Sequence, residues 1–275
     1  MKVYKSINNN IVSAFDSNGR EVVVIGKGIG FKAREGMPIP KEKISKVFVM
    51  GSQDNLDRLK DLFAHLQKEY IEITDEILTY AKQELNKKIN ENAYFTLADH
   101  ISFAVARMKE GVVFQNILTA EVRRFYSKEF QVGLHAIKLI KQKLYIDMPE
   151  DEATSIALHI LSAQYDISLS DGFKAAELLG WIINVVAKHA GNRIDTENYY
   201  SERFITHLKY LIQRIIRKEP PPAGDDWIYD MLKIHCPKEI DFCETIAAEI
   251  LEMHQYELRK HEVGYMALHI KRIGL

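Results

Sequence analysis

With 275 residues, 47% of them hydrophobic and 27% charged, the chain is long for one core and comfortable for two or three small domains of ordinary soluble composition. The first residues lack a charged-then-apolar leader pattern and no stretch approaches a membrane span, so a cytoplasmic location without membrane insertion is expected. The two cysteines, Cys236 and Cys243, fit neither a disulfide framework nor a metal site.

The formal charge of −1 conceals an asymmetry. Residues 1–50 hold nine Lys or Arg against four acids, a net of +5, which leaves −6 for the remaining 225 residues. A small basic head on an acidic body suggests a polyanion-binding module joined to a regulatory one.

The head reads as β structure. Val3–Ile7, Ile11–Phe15 and Glu21–Ile25 are short runs rich in β-branched residues, and Asp16-Ser17-Asn18-Gly19 carries the Asn-Gly signal of a hairpin. Ile44–Met50 is a fourth strand by the same criterion. Between the third and fourth, Gly26-Lys27-Gly28-Ile29-Gly30-Phe31-Lys32 forms a basic, glycine-spaced loop ending in an aromatic. It matches neither nucleotide-loop pattern, because the lysine spacing is wrong and no helix follows. The triplet Asn8-Asn9-Asn10 presents amide donors and acceptors beside the phosphate-seeking lysines Lys5, Lys27 and Lys32, and Phe31 adds a stacking surface. Four strands in about fifty residues bury little core and leave sheet edges open, so the head is expected to dimerise.

After the polar connector Gly51–Asn55 the apolar spacing turns helical and stays so, with Leu59, Leu62, Phe63 and Leu66 as its first stripe. Pro149-Glu150-Asp151-Glu152 has the proline and acids of a helix N-terminus. Ala163–Asp171 has few bulky apolar residues and is expected to be a joint, and Glu219–Gly224 a loop.

Within the helical body one pattern occurs twice. Asp151–Ile160 aligns with His261–Ile270, with identity at Glu, Ala, Leu, His and Ile, and Leu97–Phe103 aligns with Phe204–Tyr210. Arg107 and Arg214 each follow their histidine by seven positions, and the paired histidines lie 59 and 62 residues apart. Two copies of one helical domain therefore follow each other, each with two matched histidines: His100 with His159, and His207 with His269. An isolated helix histidine is usually a satisfied core residue, but titratable rings retained in diverged repeats point to chemistry. The segments lack the close second ligand of a zinc helix, which leaves reversible phosphoryl acceptance as the better use of these imidazoles. His65, His135, His189, His235, His254 and His261 have no matching histidine and are read as surface or local structural residues.

At these residues the sequence resembles the transcriptional antiterminators of the BglG/SacY/LicT family over essentially its whole length. The head carries their Lys-x-x-Asn-Asn-Asn pattern at Lys5–Asn10 and the Gly-x-Gly-x-x-Phe loop at Gly26–Phe31, with Lys32 where glutamine is usual. The helical copies carry Asp99-His100, the Pro149–Ile160 run, Thr206-His207 and Leu268-His269-Ile270, with Ala98 where Ser or Thr is usual.

The resemblance implies an α+β multidomain chain: a co-antiterminator RNA-binding domain at 1–56, built on a small antiparallel β-sheet that dimerises, then two tandem all-α bundles at 57–170 and 171–275 that act as phosphotransferase-system regulation domains. It implies no enzyme activity and calls for no cofactor or metal. The RNA-contacting set is then Lys5, Asn8, Asn9, Asn10, Gly26, Lys27, Gly28, Phe31 and Lys32. The phosphoacceptors are the four paired histidines, supported by Asp99, Arg107 and Arg214. The implied partners are an RNA hairpin in a transcript leader, a second copy of the chain, and HPr and a sugar-specific enzyme II permease as phosphoryl donors. A phosphocarrier relaying phosphoryl groups through the same histidines is the alternative from another class.

Overall fold

The computed structural model describes residues 1–49, 52–189, 191, 198–221 and 223–274. Strands β1 (Lys2–Asn8), β2 (Ile11–Phe15), β3 (Glu21–Ile25) and β4 (Lys46–Phe48) form one antiparallel sheet in sequence order. The hairpin between β2 and β3 is closed as its residues require. The Asp16 carboxylate accepts the N–H groups of Asn18 at 2.7 Å and Arg20 at 2.9 Å, and Gly19 takes φ +75°. The fourth strand is shorter than its β-branched run, starting at Lys46; Met50, where the expectation ended, lies outside the described residues.

Period-two alternation splits the sheet into two apolar faces, and both are covered within the chain. Val12, Ala14, Val22 and Val24 pack with Val3, Ile29 and Ile39. Ile11, Val23, Ile25 and Phe48 pack against Leu56, Leu59 and Phe63 of helix α1 (Gln53–His65), together with Ile71 and Phe95. Residues 53–55, expected in a connector, thus belong to the helix that completes the head. Helix α1 adds core to the sheet through Leu59 and Phe63, which are fully buried. Lys60 ties the contact by pairing with Glu21. At the sheet margins, β1 changes register twice and exchanges hydrogen bonds with Gly36 and Met37, while β4 has only three residues.

The chain divides into two compact units, Met1–Asn116 with Lys128–Asp166, and Ile117–Ser127 with Ile167–Leu275. In the first, α2 (Lys68–Leu85), α3 (Asn92–Lys109) and α5 (Ser127–Leu144) surround α6 (Glu150–Tyr165), which is buried without interruption from Glu152 to Ala163. Gly133 lets α5 approach, since a Cβ there would sit 2.0 Å from the Ala153 carbonyl oxygen. The second unit contains α7 (Leu169–His189), α8 (Tyr199–Arg217), α9 (Trp227–His235), α10 (Pro237–His254) and α11 (Lys260–Ile273). The expected joint at Ala163–Asp171 is mostly helical: α6 runs to Tyr165, Asp166 turns left-handed at φ +51°, and α7 begins at Leu169.

The five helices α2–α6 correspond in order to α7–α11, which is the sequence repeat in three dimensions. One pair of counterparts differs. Helix α9 packs on α10 and α11, whereas α4 (Thr119–Phe125) packs on α7, where Gly180 faces the Glu121 side chain. Both cysteines are free; burial, then Glu239 and Glu244, push the Cys243 thiol up to about 12. Among the described residues no helix is long and apolar enough to cross a membrane, and no group of His, Cys, Asp and Glu could hold a metal ion.

Candidate functional site

The head brings the asparagine turn and the glycine-spaced loop together through the backbone. Asn9 and Asn10 carbonyls accept the N–H groups of Gly30 at 3.1 Å and Gly26 at 2.9 Å, and the Asn10 side-chain oxygen accepts Gly28 N–H at 2.9 Å. Gly30 is required by this closeness, because a Cβ there would lie 1.9 Å from the Asn8 carbonyl oxygen. Asn8 is committed inward. Its amide donates to the Phe63 carbonyl at 2.9 Å and its oxygen accepts Asn10 N–H at 2.9 Å, linking the turn to α1.

The sequence-predicted RNA set therefore divides by role. Asn8, Asn10, Gly26 and Gly28 build the platform, while Lys5, Asn9, Lys27, Phe31 and Lys32 are exposed on it. Phe31 is 62% exposed, with the Lys32 ammonium 5.4 Å from its ring centre. An aromatic face, a free amide and several cations on one rigid surface suit stacking on an unpaired base beside phosphates.

The first histidine site lies between α3 and α6. The His100 and His159 rings stand 4.8 Å apart between centroids, and two helical turns along, Arg107 is ion-paired to Glu152. The antiparallel helices explain the spacing: seven residues forward on α3 match seven backward on α6. Glu152 is 1% exposed, and its second oxygen lies 3.2 Å from His100 Nε2. Burial, followed by the nearby His100 ring, pushes His159 down to about 3. The Arg107 guanidinium also stacks on Phe103 and Phe114 at 5.4 and 5.0 Å. Asp99 projects away from this cluster and lines a groove with Arg58, Asp61 and His65 of α1.

The second site repeats the arrangement on α8 and α11. His207 and His269 stand 5.2 Å apart, and Arg214 pairs with Glu262. Burial, then His269 and Arg214, push His207 down to about 4; burial, then Arg272 and Arg203, also lower His269. Tyr265, in the position of Ser155, brings its ring 6.1 Å from His207.

Each site is a half-buried quartet of two imidazoles and one guanidinium around one fully buried carboxylate. A neutral imidazole keeps a lone pair on one nitrogen, the form that attacks phosphorus. In both sites the arginine Nε is buried without a partner among the described residues, so a donor is available to an incoming anion. Sequence reasoning missed Glu152 and Glu262 as members. The signal was present, since that glutamate is one of the identities between the aligned segments. Of the histidines set aside, His135 and His189 stack on Tyr80 and Phe242, each at 3.8 Å, and His261 is buried.

Residues 1–57 match the CAT RNA binding domain, and residues 75–163 and 181–273 each match the PRD domain. The chain is 33% identical over 273 residues to the transcription antiterminator LicT of Bacillus subtilis (strain 168), covering 99% of each chain. It is 34% identical over 273 residues to the beta-glucoside operon antiterminator of Dickeya chrysanthemi, covering 99% of this chain and 96% of that one. A crystal structure of GlcT CAT-PRDI resembles it with a TM-score of 0.52 and 32% identity, over 59% of this chain and 97% of that one.

Proposed function

The chain belongs to the BglG/LicT family of transcription antiterminators, and from that premise we propose that it binds a hairpin in the leader of a sugar-operon transcript and is switched by phosphorylation of its paired histidines. It is a regulator rather than an enzyme, and the phosphocarrier alternative is not favoured. The head occupies the hairpin and keeps the competing terminator from forming. In this reading the domains run 1–56, 57–170 and 171–275, the head works as a homodimer, and location is cytoplasmic. A sugar permease acts through His100 and His159, and HPr acts through His207 and His269.

The observation that carries this reading is the quartet built twice, each with an arginine Nε left unpaired beside two imidazoles among the described residues. A structural core has no use for that orphaned donor. A phosphoryl group arriving on either ring brings roughly −1.5 to −2 of charge and three acceptor oxygens to meet it.

Phosphoenolpyruvate, enzyme I and HPr should deliver acid-labile, base-stable phosphate to His207 or His269, located by mass spectrometry of the full chain. Undiminished label after alanine replaces all four histidines would dismiss them. For the head, Phe31→Ala should weaken hairpin binding by about 1–3 kcal/mol, the worth of one stacked base. Asn9→Ala should reduce discrimination between the correct and a scrambled hairpin, whereas Asn10→Ala, by loosening the platform, should weaken both alike.

A further inference from the structure

We propose that the two counterpart histidines accept phosphate on opposite ring nitrogens, His100 on Nδ1 and His207 on Nε2, and that Glu152 is the positioning residue that sets the first. The inference rests on the reading of these histidines as phosphoacceptors and adds the atom that forms the bond.

Each of the two rings has one nitrogen closed off from solvent. His100 Nε2 is buried, whereas in His207 the buried nitrogen is Nδ1. A nitrogen closed off from solvent cannot meet a phosphorus atom carried by a donor protein, so the opposite nitrogen must. In the first site the buried nitrogen faces a carboxylate. His100 Nε2 and Glu152 Oε2 are 3.2 Å apart, off the line of an ideal hydrogen bond, and neither has another partner among the described residues. A carboxylate at that distance places the ring proton on Nε2 and leaves the lone pair on Nδ1.

Why the second site differs traces to one residue at a helix start. Glu152 and Glu262 are both third residues of their helices, and each gives one oxygen to its arginine. At α11 the residue before the helix is Arg259, whose N–H donates to the other Glu262 oxygen at 3.2 Å. At α6 that residue is Pro149, which has no N–H to give. The second oxygen of Glu152 is thereby free to face His100, while that of Glu262 is occupied at the helix end.

The chemistry balances without a further reactant. The Nδ1 lone pair of His100 forms the new nitrogen–phosphorus bond. The donor's own bond to phosphorus breaks, with its electron pair returning to the donor atom. The Nε2 proton stays between the ring and Glu152.

Full-length protein should be phosphorylated in two arms, one with phosphoenolpyruvate, enzyme I and HPr, the other with potassium phosphoramidate, which needs no protein donor. Isomers are then assigned per histidine by NMR correlation of ring protons with phosphorus and nitrogen. In the phosphoramidate arm His100 should carry the Nδ1 isomer by at least tenfold and His207 the Nε2 isomer by a similar factor. Glu152→Ala should bring the His100 ratio toward parity. Pro149→Ala, which restores an N–H without removing a charge, should do the same and guards against a folding defect in the first variant. The same isomer on both histidines, or a His100 ratio unmoved by both variants, overturns the proposal. Absence of label in the HPr arm, with both isomers as expected in the phosphoramidate arm, would overturn the phosphotransferase reading and leave this one standing.

Discussion

The two histidine sites are built from the same four residue types on the same antiparallel pair of helices, yet they distribute hydrogen bonds differently. In the first, Glu152 serves Arg107 and faces His100; in the second, Glu262 serves Arg214 and caps its own helix. The rest of each environment follows suit. Ser155 bonds the buried Asn116 amide in one, and Tyr265 offers a ring to His207 in the other. A duplicated site thus acquires two characters through substitutions at its borders, with the four central side chains retained.

The largest test of that difference is to remove each guanidinium. Arg107→Ala leaves Glu152 buried with no cation, a change that costs about 3–5 kcal/mol in comparable buried pairs. Arg214→Ala should cost about half as much, because Glu262 keeps the Arg259 N–H and Arg214 is the more exposed partner, at 23% against 14%. Hydrogen exchange followed separately in α6 and α11 reads the two losses, and equal values would erase the distinction.

Acid separates the sites next. Above the unperturbed histidine value of about 6.5, His159 and His207 are neutral whether folded or unfolded and contribute no pH dependence. Below it the unfolded chain takes up protons first, so stability falls by up to about 1.4 kcal/mol per pH unit per ring, and the loss ends where the folded ring titrates. That end comes at about 4 for His207 and about 3 for His159. Exchange protection should fall in both units between pH 7 and 5. His159→Gln should flatten that slope in the first unit alone.

The smallest expected effect is the most discriminating. Arg259 has φ −76° and ψ 157°, close to the −67° and 159° of Pro149, so Arg259→Pro fits the backbone. Stability should fall by about 1 kcal/mol, the worth of one part-buried hydrogen bond. The freed Glu262 oxygen should then shift the His207 isomer ratio toward Nδ1, measured as above; an unchanged ratio would place the cause outside the helix cap.

Much of this was legible in the residues. The strands from Lys2 to Ile25 follow from β-branched alternation and the Asn-Gly turn, and the histidine pairing follows from the repeat, because both signals are local or self-matching. What escaped was what each surface packs against. Nothing in the seven residues of α4 says that its buried side, Val122 and Phe125, belongs with α7. The closing of the sheet by α1, and the use of Asn8 and Asn10 as internal props, depend likewise on partners distant along the chain. Glu152 was legible as an identity, but its contact with His100 depends on Pro149 lacking a proton, a link between helix capping and ring orientation that no residue pattern displays.

The margins of the small sheet carry a last consequence. One outer strand is irregular and already bonded to residues 36 and 37, and the other is three residues long with Lys46 on it. Such a sheet offers no template for an incoming extended peptide and no route to strand-by-strand growth. The head is thereby left its turns and exposed side chains for recognition, and its sheet does not invite further copies to stack edge to edge.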